Sequence, residues 1–131
     1  MVDCENEVYT RVATALRSQF DRIDISGDYE NVPSAFPYVG FWESDNSVDE
    51  RRTSDTKEMA LVTFTVEVYS NKVPGKKTEA KRIMNAIDAE MFSMNAQRLS
   101  KLPLPYMNNT SIYRLVARYR VLTDGTFFYR R

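Results

Sequence analysis

Residues 59–88 read MALVTFTVEVYSNKVPGKKTEAKRIMNAID, and this stretch decides the fold. Over 60–69, Ala60, Val62, Phe64, Val66 and Val68 alternate with Leu61, Thr63, Thr65, Glu67 and Tyr69, the two-residue period of a strand with one apolar face. After the turn residues Pro74 and Gly75 the period changes. Ala80, Ile83, Met84, Ile87, Met91 and Met94 recur at three- and four-residue steps, which draws one apolar stripe along a helix over about 76–94. A strand face and a helix stripe that both need cover will pack on each other, and neither contains a catalytic constellation.

Outward from this unit, Val8, Val12, Leu16 and Phe20 recur every four residues, so a first helix is expected over about 5–20. Asp3 stands where it can cap that helix, and Glu5 and Glu7 suit its positive end. Ile23 and Ile25 alternate within 22–26, which suggests a short strand, and 27–34 reads as a loop. Strand character resumes over 37–43, with Val39 and Phe41 on one face and Tyr38 and Trp42 on the other. The segment 44–57, SDNSVDERRTSDTK, has Val48 as its one apolar residue and is expected to be a mobile loop between strands.

Beyond the second helix, 97–106 reads as an extended segment that Pro103 and Pro105 confine to a sheet edge. A hairpin is expected over about 111–131. Tyr113, Leu115, Ala117, Tyr119 and Val121 lie on one face of its long strand, Arg114, Val116, Arg118 and Arg120 lie on the other, and Asp124-Gly125 supplies a two-residue turn. The whole is a single α+β domain, one antiparallel or mixed sheet packed against two helices.

Composition narrows the function. The 131 residues are 43% hydrophobic and 27% charged, the balance of a globular domain with a core. No apolar run reaches the roughly 20 residues that span a bilayer, and the acidic start MVDCENEV carries no expectation of an export signal. Cys4 is the single cysteine, so no intrachain disulfide can form. There is no histidine, which removes the usual general base, metal ligand and triad partner together. Gly75-Lys76-Lys77-Thr78 fails the phosphate-loop pattern, and Gly27, Gly40, Gly75 and Gly125 cannot make a dinucleotide fingerprint. The carboxylates Asp45, Asp49, Glu50 and Asp55 sit in the polar segment beside Arg51 and Arg52 and read as solvated. No enzyme, cofactor or metal site is expected.

Charge is the positive signal. Residues 1–60 hold 13 acids and 6 bases, a net −7, and residues 61–131 hold 5 acids and 12 bases, a net +7. Such a subunit can offer an acidic face to a basic face of a neighbour. The basic residues that would carry contacts fall in four groups: Arg51 and Arg52; Lys76, Lys77, Lys81 and Arg82; Arg114, Arg118 and Arg120; and Arg130. Lysines at a helix start oppose the helix dipole, which points to an acidic partner. An arginine row beside Tyr113, Tyr119 and Tyr129 suits a protein interface, or alternatively a small nucleic-acid-binding module built on the 114–131 face.

Four segments taken together, FPYVGFWESDNS (36–47), EVYSN (67–71), GKKTEAKRIMNAID (75–88) and RLVARYR (114–120), resemble small proteins from the structural-gene blocks of long-tailed phages and prophages. These are the tail-completion, tail-terminator or minor capsid proteins. The resemblance implies a tail-terminator-like sheet with two flanking helices and a homo-oligomeric ring, typically a hexamer, at the head-proximal end of the tail. Its implied partners are the tail tube protein and a head-completion or connector protein, with passing contact to genomic DNA. The implied location is the virion neck, after assembly in the host cytoplasm, with no membrane involved. The slot is either tail terminator or head-side connector.

Overall fold

The computed structural model describes residues 1–28, 33, 35–105 and 111–130. Among these the chain forms α1 (Glu5–Gln19), β1 (Asp24–Ser26), β2 (Tyr38–Val48), β3 (Ala60–Ser70), α2 (Lys76–Ser93), β4 (Gln97–Pro103), β5 (Tyr113–Thr123) and β6 (Phe128–Tyr129). The expected loop over 27–34, the end of the extended segment at Tyr106 and the end of the hairpin at Arg131 lie wholly or partly outside the described residues.

The sheet runs in the order β1-β2-β3-β5-β4, with β6 beside the end of β5. β1 pairs parallel with β2, and every other pairing is antiparallel, so the sheet is mixed. β3 lies at its centre, paired with β2 over Ala60–Tyr69 on one side and with β5 over Ala60–Ser70 on the other. Register aligns the side chains in rows across the sheet. Glu43, Phe64, Tyr119 and Arg98 share one row, Asp45, Thr63, Arg120 and Gln97 the next, and Trp42, Thr65, Arg118 and Ser100 the row on the other side.

One sheet face is covered by both helices. Val39 and Phe41 of β2, Val62, Phe64, Val66 and Val68 of β3, and Leu115, Ala117, Tyr119 and Val121 of β5 form one buried cluster with α1 and α2. Phe41 and Phe64 stack with centroids 5.3 Å apart. Helix α1 contributes Val8, Val12, Ala13 and Leu16, and α2 contributes Ala80, Ile83, Met84, Ile87 and Met91, the stripes that their spacing marks out. Asp3 Oδ1 accepts a hydrogen bond from the Glu5 N–H at 3.3 Å, satisfying one donor of the first turn of α1. Helix α2 opens on Gly75 at φ 107°, a left-handed conformation that glycine adopts without a Cβ penalty. Glu79 in its first turn accepts from Ser70 Oγ at 2.7 Å, fastening the helix start to the end of β3.

Two expectations need correction. The segment read as a mobile loop from Ser44 is strand as far as Val48, with Asp45 to Val48 paired to Thr63 to Ala60. Pairing uses main-chain groups, and an edge strand can leave polar side chains in water, so hydropathy alone hides it. The remainder is a tied turn. Asp49 O accepts from Arg52 N, Thr53 N and Thr53 Oγ1, and the Ser54 N–H bonds to Lys57 O. The expected two-residue turn at Asp124-Gly125 is a four-residue loop, because Thr123 pairs with Phe128 and Leu122 with Tyr129. Asp124 Oδ1 accepts from both Thr126 N and Phe127 N, and this side-chain bonding holds the wider loop.

Candidate functional site

The second sheet face carries no helix among the described residues, and its side chains cover one another. In β2 the Trp42 ring folds back along its strand, so that a Cβ at Gly40 would lie 3.1 Å from it. Tyr38 and Tyr69 pack with centroids 5.8 Å apart. Beside them Glu67 accepts hydrogen bonds from Arg114 Nη2 and from Tyr69 Oη, the latter at 2.7 Å, while the Arg114 guanidinium stands 5.9 Å from the Tyr69 ring. The Glu67 side chain is 6% exposed and that of Arg114 22%, so this is a nearly dry ion pair. Arg118 is exposed and Arg120 half-buried on the same face, and Arg120 Nε has no hydrogen-bond partner among the described residues. Of the expected arginine row, Arg114 is therefore part of the fold, Arg118 is exposed, and Arg120 is half-buried with its Nε covered.

The other basic residues do not join that row. Arg51 and Arg52 lie in the turn after β2, while Lys76, Lys77, Lys81 and Arg82 start α2 beyond the far end of β3, roughly 33 Å away along an eleven-residue strand. Arg52 Nη1 donates to Asp49 Oδ2 at 2.6 Å, and this bond holds the Asp49 carboxyl below the usual carboxylate range. Arg82 stands 5.9 Å from the Phe20 ring and so bridges the two helices. Arg130 lines a groove between the end of α2 and β4, together with Asp88, Phe92, Arg98 and Tyr119. At its base Asp88 Oδ1 accepts from Tyr119 Oη at 3.0 Å and from Arg98 Nη1 at 3.2 Å. Burial, then the Asp88 carboxylate, pushes the Tyr119 phenol well above its ordinary value.

Part of the acidic half gathers at the start of α1. Around the N-terminal turn of α1, burial and then the carboxylates of Glu5 and Asp3 push the Glu43 carboxyl up. The Cys4 thiol is pushed up to about 12, by burial first and then by Glu43, Asp3, Glu7 and Glu5. A thiol held protonated in this way is no nucleophile. Among the described residues no group of three or more His, Cys, Asp or Glu is placed to hold a metal ion. No helix among them is long and apolar enough to cross a membrane.

One cluster escaped sequence reasoning because its members are 72 residues apart. Lys57 Nζ donates to Tyr129 Oη at 2.6 Å and pairs with Asp124 Oδ2 at 2.9 Å, and Tyr129 Oη donates to Asp124 Oδ2 at 2.8 Å. The cluster fastens the 49–58 turn to the 124–127 loop. Hydrogen bonds from the Phe127 N–H, then from Lys57, hold the Asp124 carboxyl far below its ordinary value. A carboxyl depressed by folding stabilises the native state above its unfolded pKa, near 4, and that contribution fades as pH falls toward the folded value. The urea midpoint is expected to drop on acidification below about pH 4, and Asp124→Asn should flatten that part of the profile. An unchanged slope in the variant would show that Asp124 does not report folding.

No protein-family model matches this chain, and no curated protein does. Its fold is shared by solved structures of particle proteins, among them these two. A chain from the virion of a native gene transfer agent particle superposes with a TM-score of 0.61 at 14% identity, over 90% of this chain and 92% of that one. A sheath/tube terminator of an extracellular contractile injection system, in its extended state, superposes with a TM-score of 0.54 at 11% identity over all of this chain. This chain spans 61% of the length of that terminator.

Proposed function

We propose that this chain is a structural subunit of a phage-type tail, which assembles head-to-tail into a ring at the head-proximal end of the tail tube. There it completes the tail and joins it to the head. The observation that supports this most is the fold itself, an α+β sheet with two helices on one face, shared with a gene transfer agent virion chain over nearly the full length of both. The sheath/tube terminator of a contractile injection system adds a second assembly that contains the same fold. A six-fold ring, a tail tube protein on one side and a head-completion or connector protein on the other complete the proposal. Arg51, exposed at the turn after β2, would on this reading meet an acidic group of one of those partners. Localisation is the virion neck.

Sedimentation across protein and salt concentration, followed by electron microscopy of purified tails, tests this. Closed rings and extra density at the head-proximal tail end are expected. A chain that remains monomeric at high concentration, with no density in tails, would remove the reading.

A second reading, nucleic-acid binding on the helix-free sheet face, is favoured by Arg118, which is exposed there. Its affinity for single-stranded DNA should fall steeply with salt and weaken in Arg118→Ala. A neck ring would also touch DNA in passing, so DNA titration at two salt concentrations is read beside ring formation by the same variant: lost DNA binding with rings intact favours this reading, and lost rings favour the subunit interface.

A further inference from the structure

We propose that copies of this chain join through their sheet edges, the outer side of β2 in one copy pairing antiparallel with β4 of the next. This rests on the ring reading above and names the contact that builds the ring. β4 is the last strand of the sheet, exposed along nearly its whole length. At the opposite end β1 covers only Tyr38 to Gly40, so from Phe41 to Val48 the outer side of β2 has no strand partner among the described residues. Among the described residues the Glu43 N–H on this stretch bonds to the Glu5 carboxylate at 2.9 Å, a side chain that an incoming strand can replace.

Direction and charge both select this pairing. β2, β3, β5 and β4 alternate in direction. With an even number of strands, rotation about an axis along the strands places the next β2 antiparallel to β4. That operation uses two different patches per subunit and closes a ring. The β2 edge FWESDNSV carries Glu43 and Asp45 and no base, and the β4 edge QRLSKLP carries Arg98 and Lys101 and no acid. Two copies of either edge repel, whereas one of each attracts. A bulge after Glu43 and another after Arg98 further discourage indiscriminate pairing.

Register supplies the partners. Without axial stagger, Glu43 of one copy continues the row of Arg98 in its neighbour, and Asp45 continues the row of Gln97. Val48, 51% exposed, falls in the row of Phe128, so the contact covers apolar surface as well.

Two arms test the contact on the full chain. Asp45→Cys with Gln97→Cys places two thiols about 14 Å apart within a subunit, three strand spacings, too far for an internal disulfide. With the native Cys4 replaced by Ala, mild oxidation should therefore give a covalent ladder ending at the closed ring, and the variants that carry only one of the two introduced thiols should not. In the second arm, Glu43→Arg and Arg98→Glu should each raise the concentration for half-assembly roughly fivefold or more, and the combined swap should restore it. Circular dichroism verifies the fold of each variant, and the cysteine arm stands if a charge variant misfolds. Wild-type rings with neither the ladder nor rescue by the combined charge swap would overturn the edge contact and leave the ring. A wild type that never assembles would overturn both.

Discussion

Phe64→Ala is expected to lower unfolding free energy by about 4 kcal/mol. Phe64 is fully buried at the centre of β3, stacked on Phe41 of β2 and paired in register with Tyr119 of β5. Removing the ring takes away its transfer energy and leaves a cavity under both helices, which strand hydrogen bonds on both sides prevent from closing. A shift of the urea midpoint at constant slope measures this. Phe64→Leu, which keeps much of the volume, should lose far less. A loss below about 1.5 kcal/mol for the alanine variant would mean that the core re-forms around the gap and that the central strand is not the keystone described here.

Glu67→Ala is expected to cost about 3 kcal/mol, although no helix covers that sheet face. The substitution strands the Arg114 guanidinium, which is only 22% exposed, and leaves Tyr69 Oη without its acceptor. Breaking one side of such a pair is costly because the remaining charge has lost its counterion in a place that water reaches poorly. Replacing both partners, Glu67→Met with Arg114→Leu, should recover most of the loss, since a buried ion pair contributes little net energy over an apolar pair of similar size. If the single variant melts like the wild type, the face is wetter than its exposure values imply. The same variant separates folding from assembly. Arg114 belongs to the subunit's own packing, so a ring defect in Glu67→Ala should track its loss of stability, whereas one in Glu43→Arg should not.

The sequence by itself determined the strand over 60–70, both helices and the assignment of β5 side chains to its two faces. Each of these is written in a local period: Val62, Phe64 and Val66 at two, Ala80, Ile83, Met84 and Ile87 at three and four. Burial follows that period because a strand or helix presents its residues at fixed angles whatever it packs against. Local turn chemistry was less reliable: Asp124-Gly125 suits a two-residue turn, yet the Asp124 carboxylate holds a four-residue loop by bonding two successive N–H groups. Tertiary structure alone decided that Ser44 to Val48 is strand, because its pairing with β3 is made by main-chain groups that carry no side-chain signature. It also decided which charges meet. Lys57, Asp124 and Tyr129 converge across 72 residues, Arg114 turns inward to Glu67, and Arg118 is left facing out, although all three arginines of the row look alike in sequence. Charge pairing depends on distances between elements far apart in the chain, and those distances exist only once the sheet has formed.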